Sequence, residues 1–165
     1  MKEVYKNLFV GSQFDYECNP KMFDDWFVVH ACKEPYHRKA LGYTGRSAPK
    51  DDPRYLFLYD KKHHLTLNMV DTDSPEFFRD EMINEALSYV MKGLTGGKRV
   101  LIHCNRGESR APSLALLLLN QLGVLSCDFD EAIKVFVKFY PDYMPKIGIL
   151  TYVRRRWIHE TKNRN

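Results

Sequence analysis

No run of apolar residues in this 165-residue chain is longer than the six of Leu114-Ala115-Leu116-Leu117-Leu118-Leu119, whereas a bilayer-spanning helix needs about 20. The first residues carry charge at Lys2, Glu3 and Lys6 and hold no apolar signal core, so neither membrane insertion nor secretion is expected. Cysteine is scarce: Cys18, Cys32, Cys104 and Cys127 are the only four, and none pair at CxxC spacing. That argues against a metal site of the zinc kind and against a disulfide framework. The expectation is reduced thiols in a cytoplasmic chain, with a nuclear location left open. Charge of one sign is also lacking. The net charge of +4 is too small an excess to name a partner. Repeats and low-complexity segments are absent. With 44% apolar and 28% charged residues, disorder, collagen and coiled coil are excluded as global readings. The length fits one domain over residues 1–165.

Local charge is more informative than the total. Between Lys33 and Arg54 there are six basic residues (Lys33, Arg38, Lys39, Arg46, Lys50, Arg54) and three acidic ones (Glu34, Asp51, Asp52). The same stretch holds Pro35, Gly42, Gly45, Pro49 and Pro53, which predicts an irregular basic insertion over 33–54. A second basic cluster is Arg154-Arg155-Arg156. Charge runs of this kind are usually solvated loops and helix faces.

Strands and helices alternate in the pattern. Asn7–Ser12 reads as a short strand closed by glycine, and Trp26–Cys32 as a continuous apolar strand of buried type. Tyr55–Tyr59 and Leu65–Val70 read as two strands around the polar turn Asp60-Lys61-Lys62. Ser74-Pro75 predicts a helix start that runs to Gly96-Gly97. Val100-Leu101-Ile102 is a short buried strand, followed by a loop from Cys104 to Arg110 and a helix from near Pro112 to Gly123. Asp128-Phe129-Asp130-Glu131 resembles a capping box for a helix up to Tyr140, and a last helix crosses Tyr152 and Trp157. The expected fold is therefore α/β, a single layered domain with a central, mostly parallel sheet flanked by helices.

The segment His103-Cys104-Asn105-Arg106-Gly107-Glu108-Ser109-Arg110 lies where a parallel strand ends and a helix begins. Ligands of open α/β sheets bind outside the carboxyl ends of the strands. A strand-to-helix loop can aim successive backbone N–H groups inward as an anion nest, and the helix N-terminus adds about half a positive charge. Gly107 permits a tight turn, and Arg110 supplies a planar fork for two oxygens of a phosphate. A free thiol of pKa about 8.5 is only ~3% thiolate at neutral pH, and helix N-termini and nearby cations raise that fraction. Cys104, at the loop entrance, faces such a field.

The His-Cys-x5-Arg pattern of His103, Cys104 and Arg110 resembles the signature of the cysteine-dependent protein phosphatases. The chain as a whole, from Asn7-Leu8-Phe9-Val10-Gly11-Ser12 to the last helix, resembles their dual-specificity branch, with a poor match over 33–62. The resemblance implies that Cys104 is the nucleophile and forms a phosphocysteine intermediate. It implies that Arg110 and the backbone amides of Asn105, Arg106, Gly107, Glu108 and Ser109 cradle the phosphoryl oxygens, that His103 fixes the loop, and that no cofactor is needed. It also places an acid on the loop after the preceding strand, about 30 residues before the cysteine. Asp71 and Asp73 both meet that spacing. Asp71 is favoured because it follows the strand directly, and Asp73 next to Ser74-Pro75 suits a helix start.

Three residues depart from the resemblance or extend it. The family usually carries Ser or Thr directly after the signature arginine, where the hydroxyl hydrogen-bonds the departing thiolate; here that residue is Ala111. Glu108 puts a carboxylate into the loop, which argues against substrates with several phosphates and implies a solvent-facing side chain. Cys32 ends the Trp26–Cys32 strand, where some family members have a cysteine that forms a disulfide with the nucleophile on oxidation; a small buried core thiol is the plainer reading. The expected substrate is a phosphorylated protein, phosphotyrosine above all, with phosphoserine and phosphothreonine open because no segment suggests a deep phosphotyrosine pocket. Alternatives are an RNA 5′-triphosphatase that uses the basic 33–54 stretch, another phosphoester hydrolase, or a phosphate-binding pseudophosphatase; no membrane partner is expected, and nucleic acid is kept only as the weaker partner.

Overall fold

The buried apolar runs pair in register. In the computed structural model, which describes residues 1–18, 20–61 and 63–162, six strands form one sheet in the order β1-β2-β6-β3-β5-β4. Leu8–Ser12 (β2), Phe27–His30 (β3), His64–Leu67 (β5) and Val100–Cys104 (β6) are its parallel centre. Lys2–Tyr5 (β1) and Phe57–Lys61 (β4) close the edges antiparallel to β2 and β5. Strands buried on both faces read as continuous apolar runs, and β3 and β6 are buried at every residue. The mostly parallel α/β sheet with flanking helices is the architecture expected.

Alternation along the strands divides the core in two. Leu8, Val10, Phe27, Val29, Val100 and Ile102 turn toward the large core, and Val28 and Leu101 toward a smaller one with Tyr16, Phe23 and Trp26. The helices of the large core are Asp80–Thr95 (α3), Arg110–Gln121 (α4), Phe129–Phe139 (α5) and Ile147–Lys162 (α6). The smaller layer is covered by Gln13–Glu17 (α1), whose Ser12/Asp15 capping box satisfies its first amides. Helix α4 is apolar around its whole circumference because all four of Leu116, Leu117, Leu118 and Leu119 are fully buried. Each such leucine contributes about 1.5–3 kcal/mol relative to exposure.

Several boundaries differ from the sequence pattern, each for a local reason. Ser74-Pro75 opens a 3₁₀ turn, Pro75–Phe77, and α3 starts only after Arg79. Helix α4 starts at Arg110, which leaves Pro112 in the first turn where its missing N–H costs nothing. Strand β4 continues through Asp60 and Lys61 because it pairs with β5 at the sheet edge, and Lys62 lies outside the described residues. Residues 33–54 open with a helical turn, Lys33–His37, that passes into Arg38–Leu41 (α2); turns and bends follow. Asp128 caps α5 by accepting from the Glu131 N–H at 2.8 Å. No helix among the described residues is long and apolar enough to cross a membrane.

Candidate active site

The loop from Cys104 to Arg110 is fixed by its carbonyls. Asn105 C=O accepts from the Gln13 N–H at 3.2 Å, and Glu108 C=O from the Met144 N–H at 2.8 Å. Gly107 C=O accepts from the Tyr140 hydroxyl at 2.8 Å, and burial pushes that phenol up, so it remains a donor. Across a planar trans peptide the N–H points opposite to the C=O. Carbonyls drawn outward at 105, 107 and 108 therefore turn the following amides, of Arg106, Glu108 and Ser109, inward. Gly107 has φ +79°, and a Cβ there would lie 3.0 Å from the Gly11 carbonyl carbon and oxygen. Only glycine lets the loop pass this close to β2.

Cys104 ends β6 and is 1% exposed. Arg110, the first residue of α4, is 6% exposed and held from two sides. Its Nη1 donates to Met69 C=O at 2.9 Å and its Nη2 to Asn105 Oδ1 at 2.7 Å. Its Nε is buried with no hydrogen-bond partner, 3.9 Å from Asp71 Oδ1. A buried guanidinium with an unspent donor is suited to an anion. The Asn105 side chain is spent on scaffolding: besides accepting from Arg110 it donates to Gln13 Oε1 and to Glu34 C=O. Only its backbone amide is left for a ligand.

A pocket of about 170 Å³ brings Asp71, Cys104, Arg106, Glu108, Ser109 and Arg110 together with Met144 and Lys146. Asp71 Oδ1 accepts from the Ser109 hydroxyl at 3.0 Å, and Lys146 Nζ donates to Asp71 C=O at 3.3 Å. Asp73 does not line this pocket and is exposed. Glu108 does not point simply to solvent. Its carboxylate pairs with Arg106 at 3.1 Å and forms the rim. Ala111 is fully buried behind the loop, and the Ser113 hydroxyl is engaged by Tyr143 at 3.0 Å, so neither supplies a free hydroxyl.

Cys32 is buried, and burial pushes its thiol up to about 12, with Arg110 opposing and Cys104 reinforcing the rise. His103 points to the other face of the sheet. Its Nε2 meets His30 Nδ1 at 2.6 Å, and His30 Nε2 meets His64 Nδ1 at 2.9 Å, a row of three rings across β6, β3 and β5. Tyr16 stacks on His103 and Tyr36 on His30. Burial pushes His103 down to about 3, so it is neutral.

Lys146, Met144, Gln13 and the histidine row were not singled out by the sequence reading. Met144 and Lys146 flank Pro145 between two helices, a stretch with no periodicity to single them out. Gln13 and His30 become legible only once β2, β3 and β6 are known to be neighbours.

No family model and no curated protein matches the sequence. Solved structures do match. The leucine-rich repeat and phosphatase domain protein of Entamoeba histolytica is 14% identical, with 99% of this chain and 94% of that chain covered, at TM-score 0.68. Human DUSP28 is 15% identical over 100% of both chains at TM-score 0.66. The human tyrosine phosphatase-like serine/threonine/tyrosine-interacting protein is 14% identical over 94% of both chains at TM-score 0.62. The chain has the fold of the dual-specificity branch of the cysteine-dependent phosphatases, with substrate and chemistry left to the site itself.

Proposed function

We propose that the chain is a cysteine-dependent protein phosphatase that hydrolyses phosphotyrosine, and phosphoserine or phosphothreonine, through a phosphocysteine intermediate. The observation that carries this reading is the convergence of Cys104, the half-spent Arg110 fork and Asp71 on one small pocket at the carboxyl end of β6. Cys104 Sγ attacks phosphorus, the P–O bond to the substrate breaks, and the leaving oxygen takes its proton from Asp71. Water, deprotonated by Asp71, then displaces the thiolate and releases inorganic phosphate. Arg110 Nε and the amides of Arg106, Glu108 and Ser109 carry the charge that spreads over the equatorial oxygens in both steps. Asn105 and Gly107 hold the loop, and His103 anchors its strand from the other face without moving protons in the pocket. The Glu108 carboxylate at the rim speaks against polyphosphate substrates, including RNA 5′-triphosphate ends.

The test is hydrolysis of p-nitrophenyl phosphate under reductant without added metal. Wild type is expected to turn over and Cys104→Ser to be inactive. Asp71→Asn should lose about 10²–10⁴-fold in kcat with a leaving group that needs an acid, and Asp73→Asn should behave as wild type. Equal losses at Asp71 and Asp73 would overturn the assignment of the acid. Ala111 favours one second reading, a pseudophosphatase that binds phosphoproteins without turning them over. Phosphopeptide binding by a wild type with no turnover would establish it.

A further inference from the structure

The surface does not end at the Cys104 pocket. A recess of about 270 Å³ adjoins it, sharing Asp71 and Arg110 with the pocket and Lys33 and Val70 with a further cavity of about 290 Å³. That cavity is walled by Ala48, Leu56, Val70 and Phe77, and Phe77 is 58% exposed at its rim. Two cations border it. Lys33 at the neck is committed, since its Nζ donates to Arg46 C=O at 2.8 Å. Arg79 on the far side makes no side-chain hydrogen bond or ion pair among the described residues, although Glu76 stands beside it in the lining. Glu76 is occupied by the Ser74 hydroxyl.

The chain itself measures the span. Asn68 and Val70 line the far cavity and Asp71 lines the Cys104 pocket. Three residues reach at most about 10 Å, so the walls of the two sites lie within about three residues of extended peptide of each other. We propose that the cavity is a specificity subsite of the phosphatase reading above, on which this inference rests. It takes a bulky apolar side chain two or three residues from the phosphoresidue of a protein substrate, and Arg79 meets a carboxylate next to that side chain. An apolar cavity with an unpaired cation on one edge suits such a segment better than a second phosphate, which would need several donors.

The experiment uses the full chain and phosphotyrosine peptides with a single Phe two or three positions before or after the phosphotyrosine, against a Ser/Gly background. The readout is kcat/KM relative to p-nitrophenyl phosphate, which is too small to reach the cavity. One register of Phe is expected to raise that ratio about tenfold. Phe77→Ala should remove the preference; a Glu placed next to that Phe should add a roughly threefold gain, and Arg79→Gln should erase only this gain. Equal ratios for all peptides, or a preference that survives Phe77→Ala, would overturn the subsite. If wild type hydrolyses nothing, the catalytic reading fails, and the subsite is judged by affinity of the same peptides for Cys104→Ser. A tenfold Phe preference there supports the subsite, and equal affinities overturn it.

Discussion

The two faces of the sheet bury their strands in opposite ways. Toward α3, α4 and α6 the buried residues form one large apolar cluster, and Cys104 is part of it. Toward α1 the layer is thin, and beside Phe9, Val28 and Leu101 its strands bury the three rings of His30, His64 and His103. The change occurs between neighbours: His103 and Cys104 are consecutive in β6 and therefore point to opposite faces. An apolar face is stabilised by area alone and is indifferent to pH. A face that buries the His103 ring is stable only while that ring is neutral, because burial penalises its charged form. The carboxyl end of β6 is thus fixed from behind through the His103 ring and is lined in front by the loop that closes over Cys104.

Acid should break the comparison with the largest effect. His103 is held near 3 in the folded chain against an ordinary value of about 6.5. Between these values the unfolded chain binds a proton that the native one refuses, so stability rises with pH through this window. Conversely, it is lost as pH falls from about 6.5 toward 3, by an amount on the order of several kcal/mol. Urea unfolding at a series of pH values checks this, with His103→Asn as the reference that lacks the ring at this one position. The wild-type curve should be steeper, and parallel curves would show that the histidine row does not govern acid stability.

The apolar face is broken sterically instead. Gly148, near the start of α6, supports the segment that carries Asp71: a Cβ there would lie 2.3 Å from Thr72 C=O and 2.8 Å from the Asp73 carbonyl carbon. Gly148→Ala must push residues 72–74 outward, and Asp71 with them. Misplacing a catalytic group by about 1 Å costs on the order of 100-fold. A kcat loss of that size is expected with p-nitrophenyl phosphate, with little change in the pH dependence of unfolding. Activity equal to wild type would mean that Asp71 is positioned by Ser109 and Lys146 alone.

These differences explain what could be read from the chain. The apolar runs gave the parallel strands because both faces of β3 and β6 are buried, and a continuous run is what such burial requires. Cys104 and Arg110 were legible because their roles are fixed by spacing within one strand–loop–helix unit. Asp71 was narrowed to two candidates, since sequence gives the distance to the cysteine and not which carboxylate reaches Ser109. The histidine row was illegible: His30, His64 and His103 are 73 residues apart at the extremes, and only strand order makes them neighbours. The support from Lys146 and Gly148 was hidden for the same reason. Strand β1 and helix α1 were missed because each is only four or five residues long, and such a segment carries too little periodicity to register.

The smallest effect concerns a single hydroxyl on the apolar face. The family resemblance expects Ser or Thr at the position of Ala111, donating to the thiolate that departs when phosphocysteine is hydrolysed. No nearby residue replaces it: Ser113 is engaged by Tyr143, and Ser109 donates to Asp71 while accepting from the Lys146 N–H. A hydrogen bond to a charged group contributes roughly 1.5–3 kcal/mol, so Ala111→Ser should speed breakdown of the intermediate about tenfold or more. The added hydroxyl enters a fully buried site, and stability should fall by about 1 kcal/mol while the thiolate is absent. Rapid-quench kinetics separates the two steps. Formation of phosphocysteine should be unchanged, since the leaving group there is protonated by Asp71, and only its breakdown should accelerate. Equal breakdown rates in both proteins would mean that the amides of the loop and Arg110 already stabilise the departing thiolate without a hydroxyl, and that the apolar face is complete as it stands.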